Sequence, residues 1–540
     1  MSPAAAAAAG TSGRLTLLLP RVLSPVLPRV LPGLGSGLGS CRSVNLQAAA
    51  PERAVKLKSL EDLSGPSLVQ TLYWLLVKGF GDKSHLLQDF QKKRYGPIWR
   101  SRFGPFEFVN VASAELISQV IRQEGRYPVR VHLPHWKEYR DLRGQAYGLH
   151  VDTGENWYRI RSVLNQKMLK PAEARAYAPV IHQVVDDLLH RVQVLRQTSP
   201  DRTTVPDIAS ELYKFGFEGV SAILFETRLG CLQEDVPQDT LRFIRAVNTM
   251  FLMSDAVSIA PRWTRRFLPH WERFVRAWDD LSDVAQRLVL RRMSELERRV
   301  DSGSSVDGLY LTYLLKNDKL THAEIFTTIT ELLLGGVDTT SNTLTWALYH
   351  LSRDQRAQDL LSQEVQQVCP DLKPPSMDDL NQMPYLKAVI KETLRLYPVV
   401  PGNARYVTEN DLIVGEYWFP KGTNFHLCHY SVCHNEDEFP EPERFLPERW
   451  LRPGVRTDGA HSRSLPSLQK HHPYSYIPFG VGVRACVGKR VAEMEMYIAL
   501  SRLMQQYEVR PEDGAPVIEA KTRILMIPGA PVNLRFLPRA

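Results

Sequence analysis

From Leu60 onward apolar residues recur mostly at helical spacing, and strand-like alternation is confined to short pieces at Ile98–Phe103 and Phe106–Val111. The longest periodic run opens at Thr321. Its hydroxyl can cap the first turn while Glu324 reaches back, a Thr-x-x-Glu capping box. Apolar periodicity continues to about Leu351, well beyond ordinary helix length, so the spacing predicts one element that crosses the whole molecule. A second helix is predicted over Pro384–Leu396, ending before Pro398. Pro440, Pro442, Pro447 and Pro453 then punctuate an irregular stretch. No internal repeat and no long linker interrupts the pattern. The chain therefore reads as mainly α with small β-sheets, a single domain over 52–540.

The first 51 residues differ. Arg14, Arg21, Arg29 and Arg42 stand among alanines, leucines and serines, and no acid precedes Glu52, the composition of a mitochondrial transit peptide. The apolar run Leu15–Leu31 is broken by Pro20, Pro25 and Pro28 and makes a poor membrane span. Removing those four arginines lowers the formal charge from +8 to about +4, which gives no reason to expect nucleic acid. Six cysteines without a Cys-x-x-Cys pair are not a disulfide scaffold, and Cys428, His429, Cys433 and His434 fit no common zinc spacing.

Chemistry concentrates in Phe479-Gly480-Val481-Gly482-Val483-Arg484-Ala485-Cys486-Val487-Gly488. Glycines there let the backbone turn round one sulfur and approach a flat macrocycle, and Arg484 offers a cation for a propionate. A thiolate on haem iron favours O–O cleavage. Within the long helix, Gly335-Gly336-Val337-Asp338-Thr339-Thr340 invites a kink, since a threonine hydroxyl can bond the carbonyl four residues back. A plain small-residue helix crossing would use the same residues.

The pattern Phe479-x-x-Gly482-x-Arg484-x-Cys486-x-Gly488 resembles the cytochrome P-450 superfamily of haem-thiolate monooxygenases, and the resemblance covers nearly everything after about residue 55. It implies that fold, a haem cofactor (iron protoporphyrin IX) and Cys486 as the axial ligand of its iron. It implies further that Thr339 and Asp338 manage oxygen and protons on the distal face, and that Trp157, Arg161 and Arg405 contact haem propionates. Glu392 and Arg395, three apart on one helix face, would join Arg449 in the family's structural Glu-Arg-Arg network. Lys387 and Lys391 match two lysines that in mitochondrial members receive a two-iron two-sulfur ferredoxin, itself reduced by an NADPH-dependent reductase; Lys489 and Arg490 lie just past the thiolate loop. A solvated basic helix face is the plain alternative.

Val337–Ser352, Leu386–Pro401 and Arg228–Leu232 look like the mitochondrial sterol 27-hydroxylases and vitamin D hydroxylases, the long-helix segment most like the former. Leu212–Gly216 and Val400–Asn403 look more like the vitamin D 1-alpha-hydroxylase branch, and Tyr139–Gly144 is shared with a retinoid desaturase. The implied activity is insertion of one oxygen atom from O2 into a sterol or secosteroid, first the terminal methyl of a cholesterol-type side chain. The implied place is the matrix side of the inner mitochondrial membrane, held peripherally. Non-catalytic haem sensing or lipid carriage would not call for Asp338 and Thr339. Between Pro261 and Asp280, Trp263, Phe267, Leu268, Trp271, Phe274, Val275 and Trp278 alternate with arginines, which suits either a membrane interface or a core-facing helix.

Overall fold

The computed structural model describes residues 57–103, 106–130, 133–302, 310–452 and 471–539; the proposed transit peptide and Pro453 lie outside these. Among the described residues helices dominate, and strands gather in four small sheets. The largest joins Ile98–Phe103, Phe106–Val111, Asn424–Leu427 and Asn403–Tyr406 in that order, with Ile98 opposite Val111 and Val109 opposite Phe425. Both early strands and the helix Pro384–Leu396 fall where the sequence pattern predicts them.

The long helix runs unbroken over His322–Arg353, 32 residues, or roughly 48 Å at 1.5 Å per residue. Thr321 Oγ1 accepts from the Glu324 amide at 3.2 Å and the Glu324 carboxylate accepts from the Thr321 amide at 2.8 Å, closing the capping box. It is buried on nearly every face, by polar as well as apolar residues, so other elements surround it. Against it crosses the helix Ile208–Leu224. Gly216 permits this, because a Cβ there would lie 2.6 Å from Ser341 Oγ and 3.0 Å from the Val337 carbonyl. Ser341 Oγ seals the crossing by donating to the Leu212 carbonyl at 2.8 Å.

The aromatic stripe divides between the two readings of it. Phe274, Val275 and Trp278 are buried on the helix His270–Asp301, whereas Trp263, Phe267 and Leu268, on and just past the turn Arg262–Arg266, are exposed. A second exposed apolar run, unnoticed in the sequence, lies on and beside the helix Leu68–Leu76, where Leu68, Val69, Leu72, Tyr73, Leu76 and Val77 face solvent. No helix among the described residues is long and apolar enough to cross a membrane.

Candidate functional site

A cavity of about 290 Å³ lies between the thiolate loop and the long helix. Cys486, Phe479, Gly480, Arg484 and Gly488 line one side and Gly335, Gly336, Thr339 and Thr340 the other. The loop depends on two left-handed glycines, Gly480 at φ 66° and Gly482 at φ 71°, and on the Cys486 amide donating to the Phe479 carbonyl at 2.8 Å. Gly488 stands close to the Cys486 sulfur, since a Cβ there would lie 4.0 Å from it, at van der Waals contact. Burial pushes the Cys486 thiol up; the Gly488 amide and the cations Arg130, Arg161 and Lys489 pull it back.

Arginines crowd the cavity edge without carboxylates to match. Arg484 donates to the carbonyls of Pro128, Leu149 and Asp152 at 2.7, 3.3 and 3.3 Å, and lies 3.5 Å from the Trp157 ring centroid. Arg161 donates to the Ala485 carbonyl at 2.5 Å and to Asn165 at 2.7 Å. Arg130, which no motif flagged, donates to the Arg484 carbonyl at 2.8 Å, and its buried Nε has no partner. Burial, then the neighbouring guanidiniums, depresses both Arg130 and Arg484. Three guanidiniums satisfied only by carbonyls, amide oxygen and a ring call for a polyanion in the space they face.

Three expected site residues sit elsewhere. Arg405 does not line the cavity: its Nε is paired with Glu124 at 2.6 Å and its Nη2 reaches the Val481 carbonyl at 3.3 Å, so it braces the loop from behind. Gly482 also lies behind, where a Cβ would meet Glu124 Oε1 at 2.3 Å. Asp338 turns away from the cavity as well. It is fully buried, neither carboxyl oxygen has a hydrogen-bond partner, and Arg523 Nη2 approaches to 3.8 Å. Burial raises its pKa, partly offset by Arg523 and Tyr213.

Thr339 is half-buried at the cavity wall, and its hydroxyl donates to the Gly335 carbonyl at 2.7 Å. Of the two readings of the glycine pair, the close helix crossing is seen at Gly336, on a helix that runs unbroken. A Cβ on Gly336 would collide with Val220 at 2.6 Å, a tight crossing, while Gly335 has nothing within 4 Å and leaves the cavity wide.

A family model described as cytochrome P450 matches residues 64–536. The chain is a cytochrome P450. It is 44% identical over 488 residues to the rat (Rattus norvegicus) protein named sterol 26-hydroxylase, mitochondrial, covering 90% of each chain. It is 42% identical over 493 residues to human (Homo sapiens) 25-hydroxyvitamin D-1 alpha hydroxylase, mitochondrial, covering 89% of this chain and 93% of that one. Against cytochrome P450 27C1 of Danio rerio it is 39% identical over 494 residues, covering 90% and 88%. Haem is the cofactor of this cytochrome P450 and monooxygenation its chemistry. The residues present fit that group: a sulfur in an open glycine loop for the iron, and the unmatched cations Arg130, Arg161 and Arg484 for two propionates.

Behind the cavity, Glu392 of this P450 accepts from Arg395 at 2.9 and 3.0 Å, Arg449 Nε at 2.9 Å, Trp450 Nε1 at 2.8 Å and the Leu446 amide at 3.0 Å. Trp450 is a member that the sequence reading missed. Burial works against the Glu392 carboxylate, yet Arg395 and then Arg449 hold it below the ordinary range. On the outside, Lys387, Lys391, Lys489 and Arg490 gather around Glu493, with the last two 3.9 Å from it, and Glu364 also acts on Lys387. Lys489 Nζ also stands 5.5 Å from the centroid of the Phe479 ring, which ties this basic patch to the thiolate loop.

Proposed function

We infer that this P450 hydroxylates a sterol or secosteroid, with the terminal methyl of a cholesterol-type side chain as the first candidate, using electrons from a mitochondrial two-iron two-sulfur ferredoxin and its NADPH-dependent reductase. The observation that carries the reading is a largely apolar cavity bounded by Cys486 and Thr339 in a chain 44% identical to a sterol 26-hydroxylase. One oxygen atom of O2 enters a C–H bond and the other leaves as water, with two electrons and two protons consumed. Bound haem supplies the activation of O2. Thr339, its hydroxyl poised at the cavity wall, hands over protons there; Asp338, on the far side of the same helix beside Tyr213 and Arg523, draws them from the outer side. Arg130, Arg161, Trp157 and Arg484 orient the propionates, with Arg405 supporting from behind through Glu124.

Glu392, Arg395 and Arg449 serve folding. The patch Lys387, Lys391, Lys489 and Arg490 on the thiolate side suits an acidic electron carrier, because cations there steer it to the proximal face. The exposed apolar groups Leu76, Val77, Trp263 and Phe267, with arginines beside the last two, support peripheral seating on the inner membrane, facing the matrix. The arginine-rich, acid-free residues 1–51 would direct the chain there.

The test is turnover of cholesterol, 25-hydroxyvitamin D and retinol in parallel by the haem-loaded chain with ferredoxin, reductase and NADPH, read by product mass and fragmentation. Cholesterol is expected to gain one oxygen at a terminal methyl. Exclusive oxidation of the secosteroid A ring, or loss of two hydrogens from retinol, would overturn the substrate assignment.

A further inference from the structure

Once the arginines are given to propionates and Thr339 to proton handling, one polar group on the cavity wall has an arrangement of its own. His150 lies in the loop between the helices Pro134–Arg143 and Gly154–Met168 and keeps 32% of its side chain accessible. Its amide and its Nδ1 both meet Glu331 Oε2, at 3.0 and 3.2 Å. Glu331, on the long helix, is fully buried, and its other oxygen faces Arg140 Nη2 at 3.5 Å. Arg140 is itself buried, 4.4 Å from the centroid of the Trp278 ring.

This clamp is fitted closely. A Cβ on Gly148 would lie 2.3–2.7 Å from the Glu331 carboxyl atoms, so only glycine lets the loop press onto it. Burial opposes the charge on Glu331, but hydrogen bonds from the His150 ring and amide and the nearby Arg140 guanidinium keep it below the ordinary carboxylate range. An ionised Glu331 can only accept, so the His150 Nδ1–H donates a hydrogen bond to it. That fixes the neutral imidazole in the tautomer whose Nε2 carries a lone pair, and no described residue bonds that nitrogen. Both His150 and Glu331 line the cavity.

The height of this group in the cavity follows from its neighbours. The Leu149 carbonyl, one residue earlier, accepts from Arg484, and Glu331 lies one turn before Gly335 on the same helix as Thr339. His150 therefore lies on the Arg484 side of the cavity, against the helix that also carries Thr339. We propose that His150, held by Glu331 and Arg140, is a substrate-binding residue that accepts a hydrogen bond from a hydroxyl on the side chain of the sterol or secosteroid, so that the preferred substrate is already hydroxylated there. The proposal rests on the substrate class inferred above. A site built to bond a hydroxyl disfavours the analogue that lacks it, since a substrate filling the cavity then displaces water from the acceptor and leaves it unmatched.

The experiment titrates the haem-loaded full chain with two pairs that differ only by a side-chain hydroxyl: cholesterol with 25-hydroxycholesterol, and vitamin D3 with 25-hydroxyvitamin D3. Dissociation constants come from the substrate-induced shift of the haem band, and products from mass spectrometry. The hydroxylated member of each pair should bind roughly tenfold tighter to wild type, the size of one hydrogen bond made in a desolvated site. His150→Phe, which keeps an aromatic ring, should bring the two members together, and His150→Gln should restore part of the preference. Equal wild-type affinities within both pairs, or the same preference in wild type and His150→Phe, would overturn the anchor while leaving sterol hydroxylation standing. Should neither variant hold haem, the wild-type ratio alone decides. A wild type that binds no sterol or secosteroid would overturn the substrate class and the anchor with it.

Discussion

Replacing Glu392 by alanine removes the acceptor of five hydrogen bonds at one stroke, from two arginines, Trp450 and a backbone amide. Arg395, fully buried, keeps only its bonds to the Cys433 and Arg444 carbonyls, and Arg449, nearly buried, keeps those to Pro440 and Glu441. Breaking a buried ion pair by removing one partner costs about 3–5 kcal/mol. A domain is stable by only about 5–15 kcal/mol, so the loss is a large share of the whole. The expected outcome is little haem-loaded protein and a urea midpoint far below wild type. Removing all three charges together, as Glu392→Leu with Arg395→Met and Arg449→Met, should do less damage than the single change, because no charge is left unmatched. The pH dependence follows from the same contacts. Glu392 titrates below its ordinary value in the fold, so its contribution is present above the ordinary carboxylate pKa and is lost as pH falls through the folded one. Glu392→Ala should therefore show a weaker acid limb in stability against pH. A full haem complement and an unchanged urea midpoint in Glu392→Ala would refute the reasoning.

Glu495, fully buried beside the cavity with Oε1 unpartnered, is pushed by burial up to about 8 from 4.5. A raised folded pKa means that its favourable contribution is complete below about 4.5 and disappears as pH rises to about 8. By pH 7 some 2.5 units are gone, about 3 kcal/mol, so Glu495→Gln should flatten the fall in melting temperature between pH 5 and 8; parallel curves would contradict this. Thr339→Ala should keep its haem spectrum and its substrate affinity but divert NADPH consumption into hydrogen peroxide, and product formation still tightly coupled to NADPH would remove its role in proton transfer. Lys387→Gln with Lys391→Gln should weaken ferredoxin affinity at least roughly tenfold and lessen its salt sensitivity, while peroxide-driven turnover survives. Superimposable ferredoxin titrations would leave these lysines as a solvated face.

How much of this could be read from the chain depends on whether the signal is local. The capping box at Thr321, the hydroxyl bond from Thr339 to Gly335 and the loop glycines each act within four residues or fewer, and each is where the sequence puts it. Glu392 and Arg395 are also local, but the arrival of Trp450 on the same carboxylate bridges 58 positions and leaves no trace in spacing. Arg130 is the sharper case. It sits in a loop with no motif, and only the fold brings it 354 positions across to the Arg484 carbonyl, where it takes the cavity-facing place expected of Arg405. Arg405 matched its motif and yet lies behind the loop, because Glu124, 281 positions away, captures its guanidinium at 2.6 Å. A motif fixes which residue type occupies a position, while the neighbours that decide where its side chain turns come from elsewhere in the chain. The same holds for His150: nothing around it in sequence marks it, and its meaning comes wholly from a carboxylate 181 positions away on the helix that also carries Thr339. If His150 acts as proposed, substrate choice rests on a long-range pair of this kind, which local motifs do not record, and relatives named for different substrates stand at 42–44% identity to one chain.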